Sequence, residues 1–411
     1  MTYVRAAARH PVRTPLGGFQ GAAGAETPSG RTRAELQVIG QGAVSFVPQK
    51  RETFHVTATA PEGGAGGFQW RIEEGQATIA SREGSEWKIL ETFPGAGLDP
   101  DPECNYWFSF DSRNRALIYG IGELRLGTSL GRLDLPAQPK EGDDPYAWLG
   151  RLRTVEIEPA VKGERAFVWR DPIVTEPPMR VLPHDALTMA DIAKGKVTAP
   201  GALNPICQLL YDNVAGASFE LDTPDFPDFS AAIKASIENE DGWCHQRLKE
   251  KASFFDKDKP QPFMTYLRIT LGRDQGESPG IPYVLEIWPG GHYSPVHNHA
   301  EANAVIRVLH GRIHVTLYPM LSKWAKPFDV QVFGKGDVTW ISPWLNQVHE
   351  LKNRGKEPCI TIQCYMYEPD NLTHAPEFND LINESITGFA PYTDGDFLWF
   401  KDQMRKEWEW R

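Results

Sequence analysis

The feature that most constrains the fold is a stretch of alternating apolar and polar residues with histidines inside it. Between Tyr283 and Tyr318, two such β-type runs flank a turn, and five of the chain's 11 histidines lie between positions 292 and 314. Residues i and i+2 of a β-strand project from the same face, so His297 and His299 can direct two imidazoles toward one point inside a barrel. This spacing is typical of metal ligands.

A second unit of the same kind supplies a third histidine. The β-type run that starts at Gly336 is followed by the turn that starts at Ser342, and then by His349. We therefore predict that His297, His299 and His349 bind one metal ion. His310 and His314 lie outside these positions, and we expect them at the surface or behind the ligands.

The two units resemble the two motifs of the cupin family. Four positions of the first motif match, namely Gly291, His297, His299 and Gly311. Four positions of the second motif match, namely Gly336, Pro343, His349 and Asn353. Ala304 stands where many cupins carry an acidic ligand, and Asn346 replaces a glycine. The resemblance implies a C-terminal double-stranded β-helix, or jelly-roll, barrel.

Residues 230–370 are similar to cupin thiol dioxygenases of the cysteine dioxygenase type. The similarity rests on three segments: Trp288 to His299 with His292 and Ser294, Tyr266 to Arg268, and Tyr367 near the end of the barrel. It implies Fe(II) as cofactor, with a small thiol and O2 as substrates and a sulfinate as product; L-cysteine is the default thiol. Three neutral imidazoles leave the metal its full double positive charge, which favours a thiolate ligand.

The same resemblance assigns further site residues. Arg268 and Tyr367 are the expected catalytic residues, and Arg268 also binds the substrate carboxylate. The expected substrate contacts are Tyr266, Gln363 and Tyr365, and the expected supporting residues behind the ligands are His292 and Trp288. Two departures stand out. Ala304 replaces the cysteine that the animal enzymes crosslink to their tyrosine, and the Ser-His-Tyr relay aligns with Gln363, Tyr365 and Tyr367, which lack an imidazole.

Three alternatives remain open from the sequence. Glu301, two residues after His299, could complete a three-histidine, one-glutamate site as in oxalate-type cupins. Arg273 competes with Arg268 as the clamp for an anion. The barrel could also be a ligand sensor without catalytic activity, which would bind a ligand without consuming oxygen.

The remainder of the chain predicts a separate β domain. Residues 1–36 carry five arginines with Gly, Pro and Ser, and we interpret them as a disordered leader, with organelle targeting as the alternative. Residues 37–138 contain short β-type runs, which predict a β-sandwich accessory domain. The runs at Tyr106–Asp111 and 118–123 resemble farnesoic-acid-methyltransferase-like domains, and Gly120 and Gly122 are interpreted as turn glycines.

The regions between the two domains are assigned by their prolines and by helical spacing. Residues 139–200 are predicted to be a linker, because proline and charged clusters limit regular structure. Residues 201–411 are predicted to be the cupin domain, and its helical lead-in comprises a helix from Asn204 to about Asp212 and a second from Asp228 to about Phe255.

Composition limits the possible partners. The 43 basic and 54 acidic side chains give 43 − 54 = −11, which argues against nucleic acid and anionic membranes. There is no apolar run of about 18 residues, so we expect no membrane-spanning helix and a cytoplasmic location. Five cysteines without CxxC spacing predict reduced thiols and no structural disulfide. The partner of the N-terminal domain is not predicted.

Overall fold

The computed structural model describes residues 20–21, 25–26, 30–60, 66–84, 86–164, 166–216, 218–253, 260–271, 283–369, 371–372 and 377–409. The chain divides into two units, Met1–Glu176 and Pro177–Arg411. Both units are built mainly from β-strands, as predicted.

The strands of the N-terminal unit are β1 (Gln20–Gly21), β2 (Ala25–Glu26), β3 (Thr32–Glu35), β4 (Gln41–Phe46), β5 (Phe54–Thr59), β6 (Gly67–Glu73), β7 (Gln76–Glu83), β8 (Glu86–Pro94), β9 (Tyr106–Asp111), β10 (Ala116–Ile121), β11 (Ser129–Asp134), β12 (Thr154–Glu158) and β13 (Phe167–Trp169). Short 3₁₀ helices occupy Leu126–Thr128, Leu149–Arg151 and Lys162–Glu164.

These strands form two sheets. One sheet has the order β1-β13-β4-β9-β10-β11 and the other β2-β3-β12-β5-β6-β7-β8. Strand β5 has the pattern of a strand with one face in the core: its residues alternate between buried and half-buried positions. Aromatic rings fill the core: the ring of Phe108 stacks on those of Phe46 and Tyr119 at 5.8 and 5.6 Å between centroids. Strands β9 and β10, which contain the two β-type runs at 106–111 and 118–123, pair as an antiparallel hairpin.

The two glycines at the end of β10 lie where the strand gives way to a turn: Gly120 is the last residue but one of the strand, and Gly122 follows it in the turn. Gly122 has a φ of +67°. A Cβ on Gly120 would lie 2.4 Å from both the Thr128 carbonyl oxygen and the Trp107 ring. A side chain at position 120 would therefore force the backbone apart.

The structure corrects the predicted domain boundaries. The unit boundary falls after Glu176, inside the predicted linker 139–200. Strands β12 and β13 lie in that linker but pair with β5 and β4, and β3 lies within the predicted leader but pairs with β12. The prolines that suggested a linker all lie outside these strands, where proline removes no ladder hydrogen bond, and among them Pro159 alone lies between β12 and β13. Most of the predicted leader, 1–19, 22–24 and 27–29, is outside the described residues.

The helices of the C-terminal unit are α1 (Met189–Lys194), α2 (Pro205–Val214), α3 (Phe229–Glu238), α4 (Trp243–Lys251) and α5 (Phe397–Glu409), with a 3₁₀ helix at Pro200–Ala202. Its strands are β14 (Leu267–Thr270), β15 (Val284–Trp288), β16 (Val296–His297), β17 (Asn303–His310), β18 (Arg312–Leu317), β19 (Asp329–Gly334), β20 (Val338–Ile341), β21 (His349–Lys352), β22 (Cys359–Met366), β23 (Phe378–Ile382), β24 (Ser385–Phe389) and β25 (Gly395–Asp396).

The helices that precede the barrel agree with the sequence-based prediction, with one difference. Asn204 caps α2, because its side chain accepts a hydrogen bond from the backbone N–H of Cys207 at 2.7 Å. The predicted helix from Asp228 to about Phe255 is instead two helices, α3 and α4. The chain turns before Gly242, where a Cβ would lie 2.2 Å from the Ser236 carbonyl oxygen. No helix in the described residues is long and apolar enough to cross a membrane.

The barrel of the C-terminal unit consists of two six-stranded sheets. The first has the order β20-β17-β22-β15-β14-β25, and the second β19-β18-β21-β16-β23-β24. We call them the front sheet and the back sheet. Strand β22 shows how period-two alternation orients the front sheet: Ile360, Ile362 and Cys364 pack with the helices, whereas Gln363 and Tyr365 face a cavity inside the barrel.

The helices cover the outer face of the front sheet. Leu210 of α2, Phe229 of α3 and Phe400 of α5 are fully buried, and they belong to one apolar cluster with Leu285 and Ile287 of β15. Each such side chain contributes about 2 kcal/mol by leaving water. The apolar contacts with the helices therefore stabilise the front sheet from its outer face. The inner face of the same sheet carries the polar residues that line the cavity.

Candidate metal centre

The three histidines predicted to bind a metal lie together at one end of the cavity. His297 ends β16, His299 follows it by two residues, and His349 begins β21, where it pairs directly with His297. The ring centroids form a nearly equilateral triangle with sides of 4.9 Å (His297 to His299), 4.8 Å (His297 to His349) and 4.9 Å (His299 to His349). One potential ligand nitrogen from each ring lies within 4.8 Å of the other two.

Hydrogen bonds fix two of these rings. The Nδ1 atom of His297 donates to the Pro295 carbonyl oxygen at 3.0 Å, and Nδ1 of His349 donates to the Asn346 carbonyl oxygen at 3.0 Å. A carbonyl oxygen can only accept, so in the neutral rings Nε2 carries the lone pair that a metal requires. Nδ1 of His299 is buried without a hydrogen-bond partner among the described residues.

The environment keeps the three imidazoles neutral. Burial lowers the pKa of His297 to about 4 and that of His349 to about 3, and in His349 the neighbouring His297 adds to the shift. Burial, followed by the other two histidines, also holds the pKa of His299 well below its usual value. Neutral imidazoles are the form that binds metal, so the cluster is ready to accept an ion at neutral pH.

Left-handed backbone explains the motif glycines. Gly291, Gly311 and Gly336 have φ values of +84°, +72° and +90°. Asn346, which replaces a motif glycine, has a φ of +64°, and asparagine is among the residues that best tolerate this conformation. Its Nδ2 donates to the Trp340 carbonyl oxygen at 3.0 Å. Asn346 therefore preserves the turn that presents His349.

The opposite wall of the cavity belongs to the front sheet. Arg268 of β14 pairs directly with Glu286 of β15, and the Arg268 Nη1 atom lies 3.1 Å from Glu286 Oε1. Gln363 donates to Glu286 Oε2 at 2.6 Å and accepts a hydrogen bond from the Tyr365 hydroxyl. The Arg268 guanidinium carbon lies 5.6 Å from the centre of the Tyr365 ring.

This network is charged and almost dry. Arg268 and Glu286 are 2% and 4% exposed. Burial raises the pKa of the Glu286 carboxyl, and the adjacent Arg268 charge opposes the shift. The Nε and Nη2 atoms of Arg268 are buried without a hydrogen-bond partner among the described residues. Buried donors of this kind are costly unless a ligand satisfies them.

The strand of Arg268 is anchored from outside the cavity. The Asp394 carboxylate accepts a hydrogen bond from the Arg268 backbone N–H at 2.8 Å. It also lies 2.8 Å from Arg247 Nε and 2.7 Å from Lys251 Nζ. Two helix residues thus hold β14 through one buried carboxylate, which sets the position from which the Arg268 side chain enters the cavity.

The cavity is small and has two halves. It encloses about 60 Å³. The polar half contains the histidines and the Arg268 network. The apolar half is lined by Met179, Val308, Val315, Phe333 and Leu351. The space suits a ligand with few non-hydrogen atoms, because an ordered water needs roughly 10–15 Å³ of such space.

Most predicted substrate contacts lie in the cavity wall. Tyr266, Gln363, Tyr365 and Arg268 all line it. Trp288 lines it as well, and its ring stacks on that of Tyr266 at 4.2 Å between centroids. Burial raises the pKa of both cavity tyrosines, so their hydroxyls stay protonated at neutral pH.

Two predicted site residues lie elsewhere. Tyr367 follows the end of β22 and packs with Ala302, Ala304 and Ile341 outside the cavity lining, where burial and then the Glu301 charge raise its pKa to about 12. The strand ends one residue earlier, so Tyr365 is the tyrosine that faces the cavity.

His292 also lies outside the cavity lining, and its supporting role behind the ligands stays a prediction. Its Nδ1 donates to the Thr265 carbonyl oxygen at 2.9 Å, and its ring contacts Phe263, so it does not line the cavity.

The alternatives are also resolved in part. Glu301 is exposed, has a φ of +65° and does not belong to the histidine cluster, so the three-histidine, one-glutamate site is not formed. Arg273 lies outside the described residues. His310 and His314 do not line the cavity.

Sequence reasoning missed two buried carboxylates in the cavity wall. Glu286 alternates with apolar residues in β15, and a charged residue in an otherwise apolar strand was a usable signal. Asp380 of β23 pairs directly with His297 and is 1% exposed. It lies more than 80 residues after His297 in a segment without a motif, so only the strand pairing reveals it.

In a comparison with known protein families, residues 283–365 match the family described as Cupin_2, a cupin domain. Among solved structures, the chain is similar to an oxalate oxidase (20% identity over 20% of this chain and 40% of that one, TM-score 0.18). It is also similar to the Cupin_2 domain of an XRE family transcriptional regulator from Enterobacter cloacae, with 11% identity over 21% of this chain and 80% of that one and a TM-score of 0.17. A third similar structure is sheep galectin-11, with 8% identity over 33% of this chain and 91% of that one and a TM-score of 0.22.

The chain thus covers about 40% of the length of that oxalate oxidase. The matched residues run from β15 into β22 and include all three metal-binding candidates. The C-terminal unit of this protein therefore contains a cupin domain with a jelly-roll fold.

Proposed function

We propose that the C-terminal unit is a non-haem Fe(II) thiol dioxygenase that converts a small carboxylate-bearing thiol and O2 to the sulfinate. The observation that carries this proposal is a charge arrangement inside one small cavity. A triangle of neutral histidines lies on one side, and a buried arginine with two unpaired N–H groups lies on the other.

The residues present fit a divalent metal ion. Two imidazoles are oriented by backbone carbonyls, and no carboxylate belongs to the cluster among the described residues. Such a site leaves the full charge of the ion to be balanced by the ligand, and imidazole suits iron among other metals. When bound, Fe(II) would lower the thiol pKa and bring the thiol and O2 together.

The other residues would bind and orient the substrate. Arg268 has Nε and Nη2 available as a two-pronged donor for a carboxylate, while Nη1 is held by Glu286. The Tyr365 hydroxyl donates its one hydrogen to Gln363 and so offers its oxygen to the same space as an acceptor. Trp288 and Tyr266 would form a stacked aromatic wall beside the substrate.

The test is oxygen uptake by Fe(II)-loaded protein with L-cysteine, 3-mercaptopropionate and cysteamine, together with mass spectrometry of the products. We expect sulfinate in a one-to-one ratio with oxygen from a carboxylate-bearing thiol. His297→Ala should abolish both metal binding and uptake. His310→Ala is the matched control, because it removes a histidine outside the cavity lining.

Other outcomes would contradict the proposal. Uptake without a sulfinate product would indicate a different metal-dependent oxidation. Tight ligand binding without oxygen consumption would indicate a sensor. Equal loss of metal in both histidine variants would show that the triangle is not the metal site.

A further inference from the structure

Asp380 lies on the same face of the back sheet as two of the histidines. Direct pairing across neighbouring strands places His349 opposite His297, His297 opposite Asp380, and Asp380 opposite Thr387. Directly opposed residues point to the same side, with Cβ atoms about 5 Å apart. The Asp380 carboxylate therefore adjoins His297 and lines the cavity.

The surroundings of Asp380 satisfy little of its hydrogen-bonding capacity. The Thr387 hydroxyl donates a hydrogen bond to Oδ1. No lysine or arginine among the described residues forms an ion pair with this carboxylate, although Glu286 in the opposite sheet has Arg268. A carboxylate offers about four acceptor positions, so Asp380 has capacity for a donor from a ligand in the cavity.

The two sheets thus present complementary hydrogen-bonding groups to one small ligand. The front sheet presents unpaired N–H donors at Arg268, and the back sheet presents an acceptor at Asp380. A carboxylate on the ligand satisfies the arginine, and an amine on the ligand satisfies the aspartate. A ligand that lacks the amine would leave its own negative charge in the same small space as an unpaired carboxylate, which is unfavourable in a dry cavity.

We propose that Asp380 is a specificity-determining residue that accepts an N–H from the substrate amine and thereby selects amine-bearing thiols over simple mercaptocarboxylates. This inference rests on the proposed thiol dioxygenase function. Arg268 recognises the carboxylate, and Asp380 recognises the amine. Asp380 has no role in the oxidation step itself.

The experiment measures binding rather than turnover. Under anaerobic conditions, calorimetric titration of the Fe(II)-loaded full chain would give Kd values for L-cysteine, cysteamine and 3-mercaptopropionate, which carries the same thiol and carboxylate without an amine. Asp380→Asn removes the charge but keeps the shape. Glu384→Gln is the matched control, because it removes one negative charge from an exposed position of the same hairpin.

We expect Asp380→Asn to weaken L-cysteine and cysteamine binding by about tenfold or more, as for loss of a charge-assisted hydrogen bond. The Kd of 3-mercaptopropionate should stay the same or fall, because the variant removes the carboxylate that disfavours this anion, and Glu384→Gln should change none of the three Kd values. If Asp380→Asn fails to fold, Thr387→Val provides the test, with about a threefold loss confined to the two amines.

Three results would overturn the inference. Equal losses for all three thiols, or a lowered iron content, would show that Asp380 acts through His297 or the metal. No loss for any ligand would show that it does not contact the substrate. If the wild-type protein binds no thiol, the proposed function fails and this inference fails with it, whereas the first two results refute the inference alone.

Discussion

The buried pair of Arg268 and Glu286 gives a prediction whose size follows from the structure. Arg268→Met keeps the side-chain volume roughly but leaves the Glu286 carboxylate, 4% exposed, without its counter-charge. A buried unpaired carboxylate takes up a proton instead of remaining charged. Starting from an ordinary pKa of 4.5, this costs about 3 kcal/mol of unfolding free energy at pH 7 and about 1 kcal/mol at pH 5.5.

The sign of the pH dependence follows from proton binding. In the variant, folded Glu286 holds a proton that the unfolded chain releases above pH 4.5, so stability falls as pH rises. Adding Glu286→Gln removes the charge, and the amide introduced there can still bond to Gln363. The double variant should therefore recover most of the loss, because replacing both members of a buried pair is often nearly neutral.

Calorimetric unfolding of the full chain is the assay, and the transition that shifts when metal is added identifies the barrel. Four proteins are compared at pH 7 and pH 5.5: the wild type, the two single variants and the double variant. A loss below about 1 kcal/mol for Arg268→Met at pH 7, or a double variant no more stable than the single one, would refute this reasoning. Recovery of stability without recovery of carboxylate binding would show that Arg268 serves ligand recognition.

Three further predictions concern the histidines, a motif glycine and the tyrosines. The metal-free barrel should lose stability as the pH falls from about 6.5 to 4, because the unfolded chain binds protons that the buried imidazoles do not bind. His297 alone should account for about 3 kcal/mol of this loss, since burial lowers its pKa to about 4. A free energy of unfolding in urea that does not change with pH would contradict this. Gly311→Ala should lower the free energy of unfolding by about 3 kcal/mol, because the new Cβ would lie 2.3 Å from the Pro358 carbonyl oxygen and the φ of this residue is +72°. Gly336→Ala should lower it by about 1 kcal/mol, because its φ is also positive but no atom lies within 4 Å of the new Cβ. Equal melting temperatures of the two variants would contradict this. Tyr365→Phe should lower kcat/KM for thiol oxidation at least tenfold and Tyr367→Phe less than twofold, and the reverse order would restore Tyr367 as the active-site phenol.

The metal ligands were accessible from the sequence because their determinants are local. The i, i+2 spacing of His297 and His299 requires only an extended chain, and the motif glycines mark turns that need left-handed backbone. The capped helix at Asn204 and the hairpin of β9 and β10 are local in the same sense. Period-two alternation also fixes which residues of β22 can share a face.

Other features depend on which strands become neighbours. The sequence showed a face carrying Gln363, Tyr365 and Tyr367, but only the end of β22 decided that Tyr365 faces the cavity and Tyr367 packs outside it. The prolines before, between and after β12 and β13 suggested a linker, because pairing with distant strands leaves no local pattern.

The sequence by itself determined the β-rich class, the histidine triad and the turns that present it, because each depends on residues close together in the chain. Only the tertiary structure decided how the cavity is charged. Arg268 meets Glu286 through strand pairing, and Asp380 reaches His297 from a hairpin more than 80 residues away. Such contacts arise from sheet order and register, which hydrophobic pattern and spacing do not encode for an individual polar residue.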